Sequence, residues 1–152
     1  MIPFIISFLI AIFTAFIGGK FTASSLDWYS TLNLPAITPP GWVISLVWTL
    51  IFILSAVSAG IFFKKEKVFS RKGKAVASLF MFNILLNISW SKIFFGDQNI
   101  QLALPVAVLL GLSVLSIIFA VGKKSISGIL LYPYVIWATF ASVLNFLIIR
   151  LN

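Results

Sequence analysis

Apolar residues run through this chain in five long stretches, at residues 2–21, 42–63, 75–95, 102–121 and 129–149, separated by short polar breaks. A helix rising 1.5 Å per residue needs roughly 20 apolar residues to cross the hydrocarbon core of a bilayer. Each stretch therefore predicts a transmembrane helix. The links are short except for residues 22–41, and short links predict that consecutive helices lie antiparallel and adjacent. The expected fold is all-α: one integral membrane bundle of five transmembrane helices spanning residues 1–152. The first stretch has no basic residues ahead of it and runs longer than a signal-peptide core, so it reads as a retained span.

Polar residues inside such stretches are costly in lipid and must face the bundle or a ligand. Asn83, Asn87, Trp90 and Phe94 recur at i, i+4, i+7 and i+11, which places them on one stripe of the third helix. Two amides and two aromatics on one face predict a pocket wall. The alternative is interhelical hydrogen bonding that holds the bundle together, at about 0.6 kcal/mol per contact. The second stretch carries Ser45, Trp48, Phe52, Ser55 and Ala59 in the same manner, with Ala56 and Gly60 as a small pair that admits a close neighbour. The fifth offers Trp137, Ala141, Leu144 and Asn145, where the small Ala141 beside Trp137 leaves space.

The long link leads into the second stretch as Trp28-Tyr29-x5-Pro35-x3-Pro39-Pro40-Gly41-Trp42-Val43-x3-Val47-Trp48-Thr49. Its prolines fix φ and stiffen the segment, as a lid would require, although prolines also commonly precede helix starts. Trp28, Tyr29 and Trp42 can serve equally as anchors at headgroup depth. Pro105 and Pro133 are expected in or near the first turns of their helices.

Composition sharpens this picture. The chain is 61% hydrophobic and 9% charged over 152 residues, more apolar surface than a soluble domain of this size can bury. The net charge of +8 could suggest nucleic acid, but position argues against it. Lys64, Lys65, Lys67, Arg71, Lys72 and Lys74 surround one link and Lys123 and Lys124 lie in another, all on the side of the N-terminus. The opposite side has Lys20, Lys92 and Arg150, close to helix ends from which long side chains can snorkel. This asymmetry predicts membrane lipids as partners, no nucleic acid, and, in a bacterial cell membrane, a cytoplasmic N-terminus. The rule would not apply in an outer membrane.

Histidine and cysteine are both absent, which removes the commonest general base, the thiolate nucleophile and the usual metal ligands. No metal site is expected. Asp27, Glu66 and Asp97 are read as loop residues, so hydrolytic catalysis is disfavoured and no midplane carboxylate exists to couple protons to transport.

Together these residues resemble the TspO/MBR family of tryptophan-rich sensory proteins. The likeness spans nearly the whole chain. Beyond residues 28–49 it includes Asn87-x2-Trp90-Ser91-x2-Phe94-Phe95-Gly96, Ala103-Leu104, and Tyr132-Pro133-Tyr134-x2-Trp137-x2-Phe140-Ala141-x2-Leu144-Asn145. The resemblance implies a homodimer of five-helix bundles. It implies a pocket beneath the first loop for porphyrins such as protoporphyrin IX and for isoquinoline or benzodiazepine ligands. Tyr29, Trp48, Phe52, Asn83, Asn87, Trp90, Trp137, Ala141 and Leu144 are the ligand-binding residues it points to, with porphyrin as ligand rather than cofactor. Asn83 stands where many relatives have glutamine. Leu34, Ile37 and Phe52 replace a lysine, an aromatic and a tyrosine common in the family. The sterol-recognition pattern near Arg150 lacks its tyrosine, having Val143, Leu144 and Phe146 instead, so the resemblance does not carry cholesterol binding over.

The expected function is a membrane receptor or carrier for tetrapyrroles with a sensory or homeostatic role. The alternative is light- or oxygen-dependent porphyrin degradation, with Trp48 and Trp137 as its catalytic residues through an indole radical that needs no general base. A purely structural role as a dimeric scaffold would leave the convergence of tryptophans unexplained.

Overall fold

A computed structural model describes residues 1–152. The expected five apolar helices are present: α1 (Ile2–Ala23), α3 (Gly41–Lys65), α4 (Arg71–Ser91), α5 (Ile100–Val121) and α7 (Tyr132–Leu151). Two short helices join them, α2 (Leu26–Thr31) after α1 and α6 (Ile126–Ile129) before α7. The chain is a multi-pass integral membrane protein, and helices suit its spans because hydrocarbon leaves backbone polar groups no partners but one another.

Local chemistry sets the helix ends. Ser70 caps α4 by accepting from the Gly73 amide at 2.9 Å, and Asn99 caps α5 by accepting from Leu102 at 2.9 Å. Gly122 ends α5 at φ 101°, a backbone conformation that a side chain would strain. Pro133 falls at the first turn of α7, where its missing amide costs little. Pro105 lies inside α5 rather than in its first turn, because the Asn99 cap starts that helix at Ile100, two residues earlier than the apolar run.

Beyond Ser91 the third span continues as a π-helical turn, Lys92–Gly96, which the apolar pattern does not reveal. The Asp97 amide donates to the Lys92 carbonyl at 2.7 Å, an i+5 bond, and Lys92 pairs with Asp97 at 2.7 Å at the exposed end. Widening the helix here presents Phe94 and Phe95 together.

Helix α1 packs along α3 and against the outer half of α4; α4 packs on α5, and α5 on α7. Helices α3 and α7 touch only lightly, which closes the ring by its thinnest seam. The expectation that every consecutive pair is adjacent fails at one place. Helices α3 and α4, joined by residues 66–70, are not packed on each other, because α1 lies against both. The Gly60 backbone approaches the Phe4 ring so closely that a β-carbon there would overlap it, so the small pair on α3 serves the contact with α1. Gly60→Ala is expected to destabilise the protein by about 1–3 kcal/mol through overpacking. Gly19→Ala, with nothing within 4 Å of its added carbon, should leave stability within about 1 kcal/mol. Thermal unfolding in detergent checks both.

A candidate ligand cavity walled by tryptophans

A cavity of about 460 Å³ occupies the outer half of the bundle, on the side of α2. Helices α1, α3, α4 and α7 wall it, α2 and the π-helical turn roof it, and α5 contributes nothing to its lining. The tryptophans of three different spans, Trp48, Trp90 and Trp137, all line it. Tyr29, Phe52, Asn87, Ala141 and Leu144 line it too, so eight of the nine expected binding residues share one hollow.

Asn83 is the exception. Its amide nitrogen donates to Ser113 Oγ on α5 at 2.8 Å, and its oxygen accepts from the Tyr134 hydroxyl on α7 at 3.3 Å. Asn87 donates to the same hydroxyl at 3.1 Å, and the Ser113 hydroxyl donates to the Leu110 carbonyl at 2.7 Å. Asn83 is therefore interhelical glue, whereas Asn87 is both glue and cavity wall. The stripe of α3 divides as well: Trp48 and Phe52 face this cavity, while Ser55 and Ala59 face a second hollow in the other half of the bundle.

The roof is an aromatic stack. Trp90 lies against Phe94 at 5.2 Å between ring centroids, nearly parallel, and Phe94 meets Phe95 edge-on at 4.8 Å. Trp28 and Tyr29 of α2 dock onto these rings at 5.8 and 5.7 Å. Ser25 donates to the Phe95 carbonyl at 2.8 Å and anchors the start of α2. Farther along the link, the Asn33 amide donates to Asn152 Oδ1 at 3.0 Å, and Asn152 donates back to the Asn33 carbonyl at 3.2 Å. The lid is thus α2, which also carries Asp27. None of Pro35, Pro39 and Pro40 lines the cavity; they form the turn leading into α3. Trp42 is 70% exposed at the outer end of α3, which fits an interfacial anchor.

The cavity's chemistry is mostly apolar. Ser45 and Thr49 bond back to carbonyls of α3 and offer little to a ligand. The indole N–H groups of Trp90 and Trp137 and the Oδ1 of Asn145 have no partner but are closed off from the hollow by neighbouring atoms. Asn145 uses its amide nitrogen on the Ile100 carbonyl at 2.8 Å. Tyr29 is the only titratable side chain on the wall, and burial raises its phenol above the ordinary 10.0. No group of His, Cys, Asp and Glu gathers here or elsewhere.

Sequence reasoning missed the α1 wall and the hub. Ala15, Gly18, Gly19 and Thr22 face the cavity at helical spacing, a run of small residues legible in the sequence. Gly18 is held so near Ser91 that a β-carbon would lie 3.1 Å from its hydroxyl oxygen. Tyr134 stood out only as part of the family motif and Ser113 not at all, because their hydrogen-bond partners are distant in sequence.

A family model described as the TspO/MBR family matches residues 6–151. The chain belongs to the TspO/MBR family. It is 36% identical over 143 residues to the tryptophan-rich protein TspO of Chlorobaculum tepidum, covering 90% of this chain and 87% of that one. It is 33% identical over 153 residues to the protein of the same name from Archaeoglobus fulgidus, covering 100% and 98%. Human translocator protein is 29% identical over 139 residues, covering 90% and 82%.

Tyr134→Phe leaves Asn83 and Asn87 each short of a partner and is expected to cost about 0.6–1.7 kcal/mol, the range for hydrogen bonds between membrane helices. A thermal unfolding comparison in detergent reads this directly. The same loss in an Asn83→Ala, Asn87→Ala background would show that the hydroxyl acts elsewhere.

Proposed function

We propose that this protein is a membrane receptor or carrier for protoporphyrin IX-like tetrapyrroles and other flat, apolar molecules of that size. The observation that carries this reading is the cavity faced by Trp48, Trp90 and Trp137 from three separate spans and roofed by Tyr29. Aromatic faces offer a planar macrocycle extensive contact. The volume lies within the range of sites that enclose most of a small ligand's surface. The name tryptophan-rich sensory protein, carried by the relative from Cereibacter sphaeroides, and the name translocator protein agree with a receptor or carrier role. The basic links on one side favour a cytoplasmic placement for the N-terminal face in a bacterial cell membrane, with α2 outside.

Degradation of the bound porphyrin is the second reading. It rests on Trp48 and Trp137 lining the same hollow, where both indoles would meet one ligand. Anaerobic binding in the dark separates the two readings, since a receptor retains the porphyrin unchanged and a degrading protein yields a distinct product once light and oxygen are admitted.

Protoporphyrin IX is expected to quench tryptophan fluorescence saturably. Ala141→Phe, which fills space beside Trp137, should weaken the apparent affinity at least about tenfold, a loss of about 1.4 kcal/mol. Quenching that stays unsaturable, and is unaffected by Ala141→Phe and by Trp48→Phe with Trp137→Phe, would refute the cavity as the site. With Tyr29 held neutral below its raised pKa, the protein's side of the interaction should not titrate between about pH 6 and about pH 9. An isoquinoline ligand without ionisable groups in that range should bind with a flat pH profile.

A further inference from the structure

The second hollow, about 370 Å³, lies in the other half of the bundle, lined chiefly by α1, α3 and α4. Its α1 wall is Ile2, Ile6, Ile10 and Thr14; its α4 wall is Ala77, Met81, Ile84 and Asn87. It shares only Phe52 and Asn87 with the tryptophan cavity, so those two residues separate the hollows. From Ala77 to Asn87 the α4 wall extends about 15 Å at the helical rise, which is the depth of one leaflet's hydrocarbon.

At its deep end, bordered by Asn83, Asn87 and Tyr134, the Asn83 amide and the Tyr134 hydroxyl are engaged with each other, with Asn87 Nδ2 and with Ser113, while Asn87 Oδ1 has no partner. Between that end and the mouth the lining is mostly apolar. The Ser55 hydroxyl is buried there without a partner, but a serine in a helix can turn to the carbonyl one turn back and does not demand a polar ligand.

The shallow end has the opposite character. Val68 lines it, and Lys67 precedes Val68. Lys74 falls on the same stripe of α4 as Ala77, Met81 and Ile84, at spacings of three and four residues, one turn nearer the interface. Both lysines are exposed, and neither has an acidic partner, since the only ion pair in the structure is Lys92 with Asp97. An apolar channel one leaflet deep that ends at unpaired cations fits a molecule with an acyl chain and an anionic head.

We propose that the groove between α1 and α4 is a binding site for an anionic phospholipid of the adjoining leaflet. One acyl chain lies along Ile6, Ile10, Ala77 and Ile84, and the phosphate meets Lys67 and Lys74. This site is separate from the tryptophan cavity and does not rest on the function proposed for it.

Native mass spectrometry of the full chain, delipidated and then titrated with phosphatidylglycerol or phosphatidylcholine, tests the site. Phosphatidylglycerol should be retained as one molecule per chain with at least about fivefold preference over phosphatidylcholine. Lys67→Gln with Lys74→Gln, exposed changes that spare the fold, should abolish that preference. Ala77→Trp should abolish retention of the lipid while the far-UV circular dichroism remains that of wild type. Equal retention of both lipids by wild type, or a preference that survives the double lysine change, would overturn the proposal. So would a lipid-free dimer in which cysteines placed at Ile6 and Ile84 cross-link between copies, because a second chain would then cover the groove.

Discussion

The Tyr134 hydroxyl sits where α4, α5 and α7 meet, and the bundle's interior is organised around it. It donates to Asn83, accepts from Asn87, and through Asn83 reaches Ser113. In hydrocarbon a lone amide or hydroxyl has no water to fall back on, so three helices must keep the register that satisfies these groups. Tyr134 also receives the edge of Trp48 at 5.9 Å, which carries the arrangement across to α3 where α3 and α7 otherwise scarcely touch.

That hub separates two hollows of different character. On the α2 side, aromatic walls contributed by three spans make a site suited to a flat ligand. On the other side, Asn83 and Tyr134 are bonded within the hub and the lining is mostly apolar, leaving a groove that rewards apolar contact. Phe52 and Asn87 belong to both walls, so the packing in one half sets the boundary of the other.

The roof follows from a break in helical regularity. A π-helical turn at Lys92–Gly96 brings Phe94 and Phe95 side by side, and Trp28 and Tyr29 dock on the pair. Such turns recur at functional sites because they re-aim side chains without ending the helix. Anchors at Ser25 and Asn33 then hold α2 over the cavity, so the lid is fastened at both ends by bonds to distant segments.

Much of this was legible without coordinates. The run lengths gave five spans, and periodicity put Trp48 with Phe52 and Asn87 with Trp90 on inward stripes, because one helix's faces are fixed by 3.6 residues per turn. The resemblance joined those stripes to Trp137, Ala141 and Leu144. It did not separate Asn83 from Asn87, which lie on one face four residues apart yet serve different partners. Nor did short links determine neighbours, since residues 66–70 join two helices that α1 keeps from packing. Spacing along a helix is local geometry, and the sequence by itself decided which side chains point inward and which links carry the positive charge. Which helices meet, where they part to leave a hollow, and which polar atoms are left without partners were decided only when α1, α3, α4 and α7 packed. Those outcomes depend on contacts between residues tens of positions apart, such as Asn83 with Ser113 and Ser25 with Phe95, for which no periodicity exists.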